Sequence, residues 1–160
     1  MPTRKTGILL CNFGGPRTGA EIPRVLFDLF NDPDIFQVWG GPIVQKALAW
    51  LISYLRTYKV QSAYARIGGA SPLVAITHQQ ADGLRELLRH RGLDLPIAIG
   101  MRYGLPSMEE AIRELQRQAV EHILLVPLYP HYSLSTVGST INAMRRLMEG
   151  RSISWDTLPQ

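Results

Sequence analysis

Three short apolar runs stand out along the chain: residues 7–13 (GILLCNF), 96–101 (PIAIGM) and 123–126 (ILLV). Each has the length of a strand and lacks the strict polar alternation of a sheet with one wet face, so each reads as a buried strand. Between them, apolar positions recur at helical spacing. Ile22, Val25, Leu26, Leu29 and Phe30 form one such set. Thr18, with Glu21 three residues on, has the pattern of a capping box at its start, and Asn31-Asp32-Pro33-Asp34 ends it. Ser71 can cap a helix opening at Pro72, whose apolar positions include Ile76, Ala81, Leu84, Leu87 and Leu88. Arg89-His90-Arg91-Gly92 closes that helix with cations and a glycine, as the helix dipole favours. Arg102-Tyr103-Gly104-Leu105-Pro106 reads as the loop after the second strand, and Ser107 caps a helix with Glu109 and Glu110 in its first turn. Ile141 to Met148 is helix-compatible, and after Gly150 the stretch SISWDTLPQ begins a further apolar–polar pattern. Strands alternating with helices predict an α/β protein with a doubly wound parallel sheet and flanking helices.

Residues 35–58 are the most hydrophobic part of the chain. Pro42 suits the first position of a helix, and Ile43, Val44, Ala47, Leu48, Leu51, Ile52 and Leu55 then define an apolar face expected to be core. Trp50 and Tyr54 lie to the side of that face and Trp39 precedes it. These aromatics either join the core or form a greasy rim over an apolar ligand or toward a membrane surface.

Candidate chemistry gathers in the loops. Gly14-Gly15-Pro16 ends the first strand; it either lets backbone approach a ligand or turns the chain, and it lacks the spacing of a dinucleotide fingerprint or a P-loop. Arg56, Lys59 and Arg66 cluster beside the greasy segment, as solvated surface or as partners for a carboxylate. After the third strand, Pro127-Leu128-Tyr129-Pro130 interrupts the ladder, and His131, Tyr132, Ser133, Ser135, Thr136, Ser139 and Thr140 follow before a helix. A loop so rich in hydrogen-bonding side chains, beyond the carboxyl end of a strand, is either a wall of a ligand crevice or an ordinary capped connection.

Composition narrows the field. A net charge of +4 without a Lys/Arg run gives no reading as a nucleic-acid binder. Cys11 is the single cysteine, so no internal disulfide forms, and its place in an apolar run makes it a small buried hydrophobe in a reducing compartment. The first apolar run is too short for a secretory signal, and no stretch reaches the roughly 18 apolar residues of a membrane span.

Taken together, NFGGP at 12–16, LFNDPDI at 29–35, YARIGGASPL at 64–73, MRYGLPSMEEAI at 101–112 and LYPHYSLSTVGST at 128–140 resemble the ferrochelatase family in order and mutual spacing. The resemblance covers essentially the whole chain and only the N-terminal half of a typical member, which has two similar α/β domains across a porphyrin cleft. It implies that residues 1–160 are an N-terminal chelatase-like domain whose 35–58 segment is the family's hydrophobic lip, with the C-terminal domain absent. It implies insertion of ferrous iron into protoporphyrin IX, the last step of protoheme synthesis. Iron and porphyrin are then substrates, and no cofactor is held permanently.

By the same resemblance, Phe13 faces the macrocycle, at a position where some members carry Tyr. Arg56 and Lys59 meet the propionates, Tyr64 and Ser71 are further cleft positions, and Tyr129 and Ser135 belong to the porphyrin-facing loop. His131 lines the cleft and is the candidate metal-touching residue. Leu134 stands where some members have an iron–sulfur cysteine, so no cluster is expected. The family's histidine base, in a Ser-Ala-His-Ser-Leu-Pro motif, and its glutamate partner do not occur in these residues. The remaining histidines, His78, His90 and His122, read as two helix-surface residues and one preceding a strand. Implied partners are a second chelatase domain or a homo-oligomer, together with peripheral membrane contact; the implied location is the cytoplasm, at the inner membrane. Two other readings stay open: a self-sufficient dimeric small tetrapyrrole chelatase, and a non-catalytic porphyrin-binding module.

Overall fold

The computed structural model describes residues 4–158. The elements, in order, are β1 (Thr6–Gly14), α1 (Ile22–Phe30), α2 (Gly41–Ala65), α3 (Leu73–His90), β2 (Ile97–Tyr103), α4 (Met108–Arg117), β3 (His122–Pro127), α5 (Ser139–Met148) and β4 (Ser154–Thr157). A 3-10 turn, Gly19–Glu21, precedes α1, and a π-turn, Leu134–Gly138, precedes α5. The strands form one four-stranded sheet in the order β2-β1-β3-β4, and both the β1–β3 and β3–β4 pairs are parallel. This is the expected α/β architecture, with the stretch after Gly150 supplying the edge strand.

The chain divides into two compact units, each described by itself. The first comprises residues up to Phe13, Ala75–Arg102 and Pro106 onward, and holds the sheet. β1 lies between β2 and β3, which explains its continuous burial from Gly7 to Asn12. On one side, Leu9 and Cys11 pack with Met108, Ile112 and Leu115 of α4 and Ala143, Met144 and Met148 of α5. On the alternate side, Asn12 reaches Thr77 of α3 at 3.1 Å. Gly100 of β2 has no substitute there, because a Cβ would sit 2.8 Å from the Met108 Cα. Ser107 caps α4 as expected, with a full capping box: its Oγ accepts from the Glu110 N–H, and the Glu110 carboxylate accepts from the Ser107 N–H.

The second unit comprises Gly14–Val74 and Tyr103–Leu105. Here α1 and α2 pack together, and the structure corrects the expected face of α2. Its buried residues are Gln45, Ala49 and Ser53. Ile43, Val44, Leu51 and Leu55, expected in the core, are exposed, Ile43 by 85%. The physical reason is close approach: Ala49 and Ser53 are small, and the Ser53 hydroxyl is absorbed by the Ala49 carbonyl at 2.6 Å. Gln45 is buried because its amide serves three backbone groups, donating to the Phe30 and Phe36 carbonyls and accepting from the Val38 N–H.

Two smaller expectations also change. Thr18 makes no side-chain cap; Glu21 instead accepts from the Arg17 backbone N–H at 2.8 Å and pairs with the Arg17 guanidinium. That pairing holds the Glu21 carboxyl below its usual range. β2 runs two residues past Met101, because Tyr103 is fully buried and its hydroxyl donates to Asp32.

Candidate functional site

The carboxyl ends of β1, β2 and β3 carry a buried polar cluster in the first unit. Parallel strands present their last residues on one edge, where an α/β sheet binds its ligands. Cys11 is fully buried in β1 and adjoins the Thr140 hydroxyl of α5, also fully buried. Burial pushes the Cys11 thiol up to about 12, so it stays protonated and inert. The Thr140 hydroxyl lies 3.0 Å from the phenolic oxygen of Tyr129, in the loop after β3. Burial pushes that phenol too up to about 12. One residue earlier in α5, Ser139 accepts from the Nε of Arg102 at 3.0 Å. The Arg102 charge acts on both Cys11 and Tyr129. Asn12 accepts from the Phe13 N–H at 2.8 Å and donates to Thr77, which fixes the end of β1.

Phe13 is half-buried and, by strand alternation, lies on the face of Cys11 rather than of Asn12. Pro127 ends β3 in register with Cys11, and the Leu128 N–H donates to the Cys11 carbonyl at 2.7 Å. The ladder thus continues to its last position through a residue with no N–H, where the sequence suggested it would stop. His131 is exposed on the loop, and Ser135 lies exposed on the π-turn, its hydroxyl 3.2 Å from that of Ser133. Among the described residues no group of three or more His, Cys, Asp or Glu side chains could hold a metal ion. His78 and His90 are exposed on α3, and His122 opens β3, its Nδ1 2.9 Å from the Ser154 hydroxyl.

In the second unit, Arg56 and Lys59 are exposed on α2, three residues apart and so neighbours on its surface. The Arg56 guanidinium carbon lies 5.7 Å from the centroid of the Phe30 ring. The whole of α2 contains no Asp or Glu. Trp50, Tyr54 and Tyr58, also exposed, follow one another at four-residue spacing along a different face of α2, with Trp50 and Tyr54 stacked at 5.8 Å. A groove of about 620 Å³ runs between α1 and α2, walled by Phe27, Trp50, Tyr54 and Tyr58 among others.

Tyr64 and Ser71 meet around Gly15. A Cβ on Gly15 would lie 2.8 Å from the Ser71 Cβ and 3.7 Å from the Tyr64 hydroxyl. The close backbone approach at Gly-Gly-Pro is therefore made to the chain's own residues. The Ser71 hydroxyl accepts from the Leu73 N–H at 3.3 Å, capping α3 as expected, while its N–H donates to the Pro16 carbonyl at 2.8 Å.

The expected ligand-facing residues thus fall into two groups: Phe13, Tyr129, His131 and Ser135 in the first unit, and Arg56, Lys59, Tyr64 and Ser71 in the second. Sequence reasoning passed over Arg102 and Thr77, and took Ser139 and Thr140 only as members of a polar loop. The available signal was weak: an arginine at the end of an apolar strand, and two hydroxyls entering a helix.

A parallel sheet flanked by helices, with a buried polar cluster at its carboxyl ends, defines an α/β domain. The sequence model described as Ferrochelatase matches residues 5–160. The chain is 46% identical over 145 residues to the ferrochelatase of Synechococcus sp. strain CC9311, covering 91% of this chain and 37% of that protein. It is 44% identical over 155 residues to that of Synechococcus sp. strain WH7803, covering 97% and 39%. With the ferrochelatase of Prochlorococcus marinus subsp. pastoris it shares 44% identity over 148 residues, covering 92% and 38%. The chain belongs to the ferrochelatase family. It spans well under half the length of these relatives, 37–39%.

Proposed function

We propose that this chain supplies the porphyrin-holding part of a ferrochelatase, which inserts ferrous iron into protoporphyrin IX. The observation that carries the reading is the α2 surface. Arg56 and Lys59 stand side by side in a helix that has no acidic residue and carries exposed aromatics on another face. A flat apolar dicarboxylate asks for that combination: cations for the carboxylates, apolar surface for the ring. Arg56 presents a planar fork of donors suited to a carboxylate, and Lys59 a compact charge beside it. On this reading Phe13 and Tyr129 contact the macrocycle, Ser135, Tyr64 and Ser71 shape the walls, and His131 lines the cleft and touches iron in passing.

Metalation also needs a base for the two pyrrole protons. We assign that role to residues beyond these 160, in a second chelatase domain that completes the cleft. His131 is then auxiliary. Exposed Ile43, Trp50, Leu51 and Leu55 of α2, together with Trp39 just before it, are proposed as a lip that rests on a membrane surface. No described helix is long and apolar enough to cross a membrane.

The test is an iron-insertion assay on the chain alone and joined to the C-terminal remainder of a relative. The account expects insertion only with the remainder present, and retention of most of it in His131→Gln. Turnover by the chain alone as a dimer, lost in His131→Gln while porphyrin still binds, would favour a self-sufficient small chelatase. Porphyrin binding with no insertion in either form would leave a binding module.

A further inference from the structure

The loop after β3 is held by one buried hydroxyl. Thr140 is fully buried at the second position of α5 and faces two groups from other parts of the fold. Its Oγ1 is 3.0 Å from the Tyr129 phenolic oxygen, and it also bonds the Cys11 side chain. The backbone beside Tyr129 is fixed as well, since the Leu128 N–H donates to the Cys11 carbonyl at 2.7 Å and Pro130 restricts the next step. Tyr129 is therefore anchored through its oxygen at one end and through its backbone at the other. Tyr129 as a whole is half-buried, so part of it stays open to a ligand.

We infer that Thr140 is a positioning residue for ligand binding: it holds the Tyr129 hydroxyl inward, so that Tyr129 meets the porphyrin with its ring and not with its oxygen. This rests on the proposal that Tyr129 borders the porphyrin. An inward oxygen is committed to Thr140 and unsuited to ligating iron, which separates the role of Tyr129 from that of His131. A threonine suits the post because its hydroxyl can accept from one partner while donating to another, and its methyl group fills the buried site.

The test measures protoporphyrin IX affinity by fluorescence quenching in this chain joined to the C-terminal remainder of a relative, for Thr140→Val, Thr140→Ser, Tyr129→Phe, Tyr129→Ala and the Thr140→Val/Tyr129→Phe pair. Loss of one neutral hydrogen bond predicts weakening of about fivefold to tenfold in Thr140→Val, with near wild-type affinity in Thr140→Ser. Tyr129→Phe should lose as much as Thr140→Val, and the double variant no more than either. A merely structural Thr140 would lower the melting temperature without that coupling. Unchanged affinity in Thr140→Val, or losses that multiply in the double variant, would overturn the inference. Should Thr140→Val not fold, Tyr129→Phe breaks the same bond from the other side, and unchanged affinity there is equally decisive. Wild-type affinity in Tyr129→Ala would sink the placement of Tyr129 at the porphyrin itself, whereas loss in Tyr129→Ala with none in Thr140→Val sinks only the positioning role.

Discussion

Arg56 lies with its guanidinium carbon 5.7 Å from the centroid of the Phe30 ring, so a cation on one helix is steadied by an aromatic on the other. An arginine offers a carboxylate paired N–H donors in one plane, and the contact with Phe30 steadies the group that carries them. Lysine matches the charge and lacks both the flat face and the fork. Arg56→Lys should therefore weaken protoporphyrin IX binding by about fivefold or more, read by fluorescence titration. Wild-type affinity in Arg56→Lys would mean that charge alone is recognised.

Cys11 sets an alkaline limit on stability. Its thiol is pushed from 9.0 up to about 12 by burial, so the folded chain keeps a proton that the unfolded chain releases above pH 9. The unfolded state binds fewer protons in that window, and stability falls as pH rises from about 9 toward 12, by on the order of 1 kcal/mol per unit from this group, with no such dependence below pH 8. Urea denaturation across pH 7 to 10.5 should show that limb, shallower in Cys11→Ala. The thiol should also resist iodoacetamide at pH 8 until the chain is unfolded.

Gln45 predicts a result opposite to hydrophobicity. Gln45→Leu adds apolar surface at a buried position, yet leaves the Phe30 and Phe36 carbonyls and the Val38 N–H without their partner. Unmet buried polar groups cost about 1–3 kcal/mol each where water cannot reach them, so the variant should be less stable by at least about 2 kcal/mol in urea denaturation. Equal or higher stability would show that these groups find other partners.

The outer face of α2 should bind anionic vesicles more than neutral ones, because exposed Trp50, Leu51 and Leu55 share the helix with Lys46, Arg56 and Lys59 and with no carboxylate. Cosedimentation with vesicles containing phosphatidylglycerol should fall several-fold in Trp50→Ser/Leu55→Ser. Equal binding to neutral vesicles, or none to either, would remove the membrane role.

The parallel strands were legible because burial on both faces leaves continuous apolar runs such as GILLCNF. Caps written within one turn, such as Ser107 with Glu110, were legible for the same local reason. The α2 face was not. Counting large apolar residues selects Ile43, Leu51 and Leu55, whereas packing against α1 selects the small Ala49 and Ser53 and the bonded Gln45. The end of β2 was misjudged because Tyr103 looks like a loop residue until Asp32 takes its hydroxyl, 71 positions away in sequence. Arg102 with Ser139, and Asn12 with Thr77, pair over 37 and 65 positions, and no local pattern announces them. The candidate ligand residues came from the resemblance of five loops and not from periodicity.

The central claim is that this chain grips a porphyrin by its carboxylates. Titrating the chain, joined to the C-terminal remainder of a relative, with protoporphyrin IX and with its dimethyl ester tests this most directly, for the unsubstituted sequence and for Arg56→Ala. A shielded, charge-assisted bond is worth about 1.5–3 kcal/mol, so the wild type should bind the dicarboxylate at least about tenfold more tightly than the ester. Arg56→Ala should erase most of that preference and leave ester binding nearly as it was. Equal affinity of the wild type for acid and ester, or an equal loss of both in Arg56→Ala, would contradict the account.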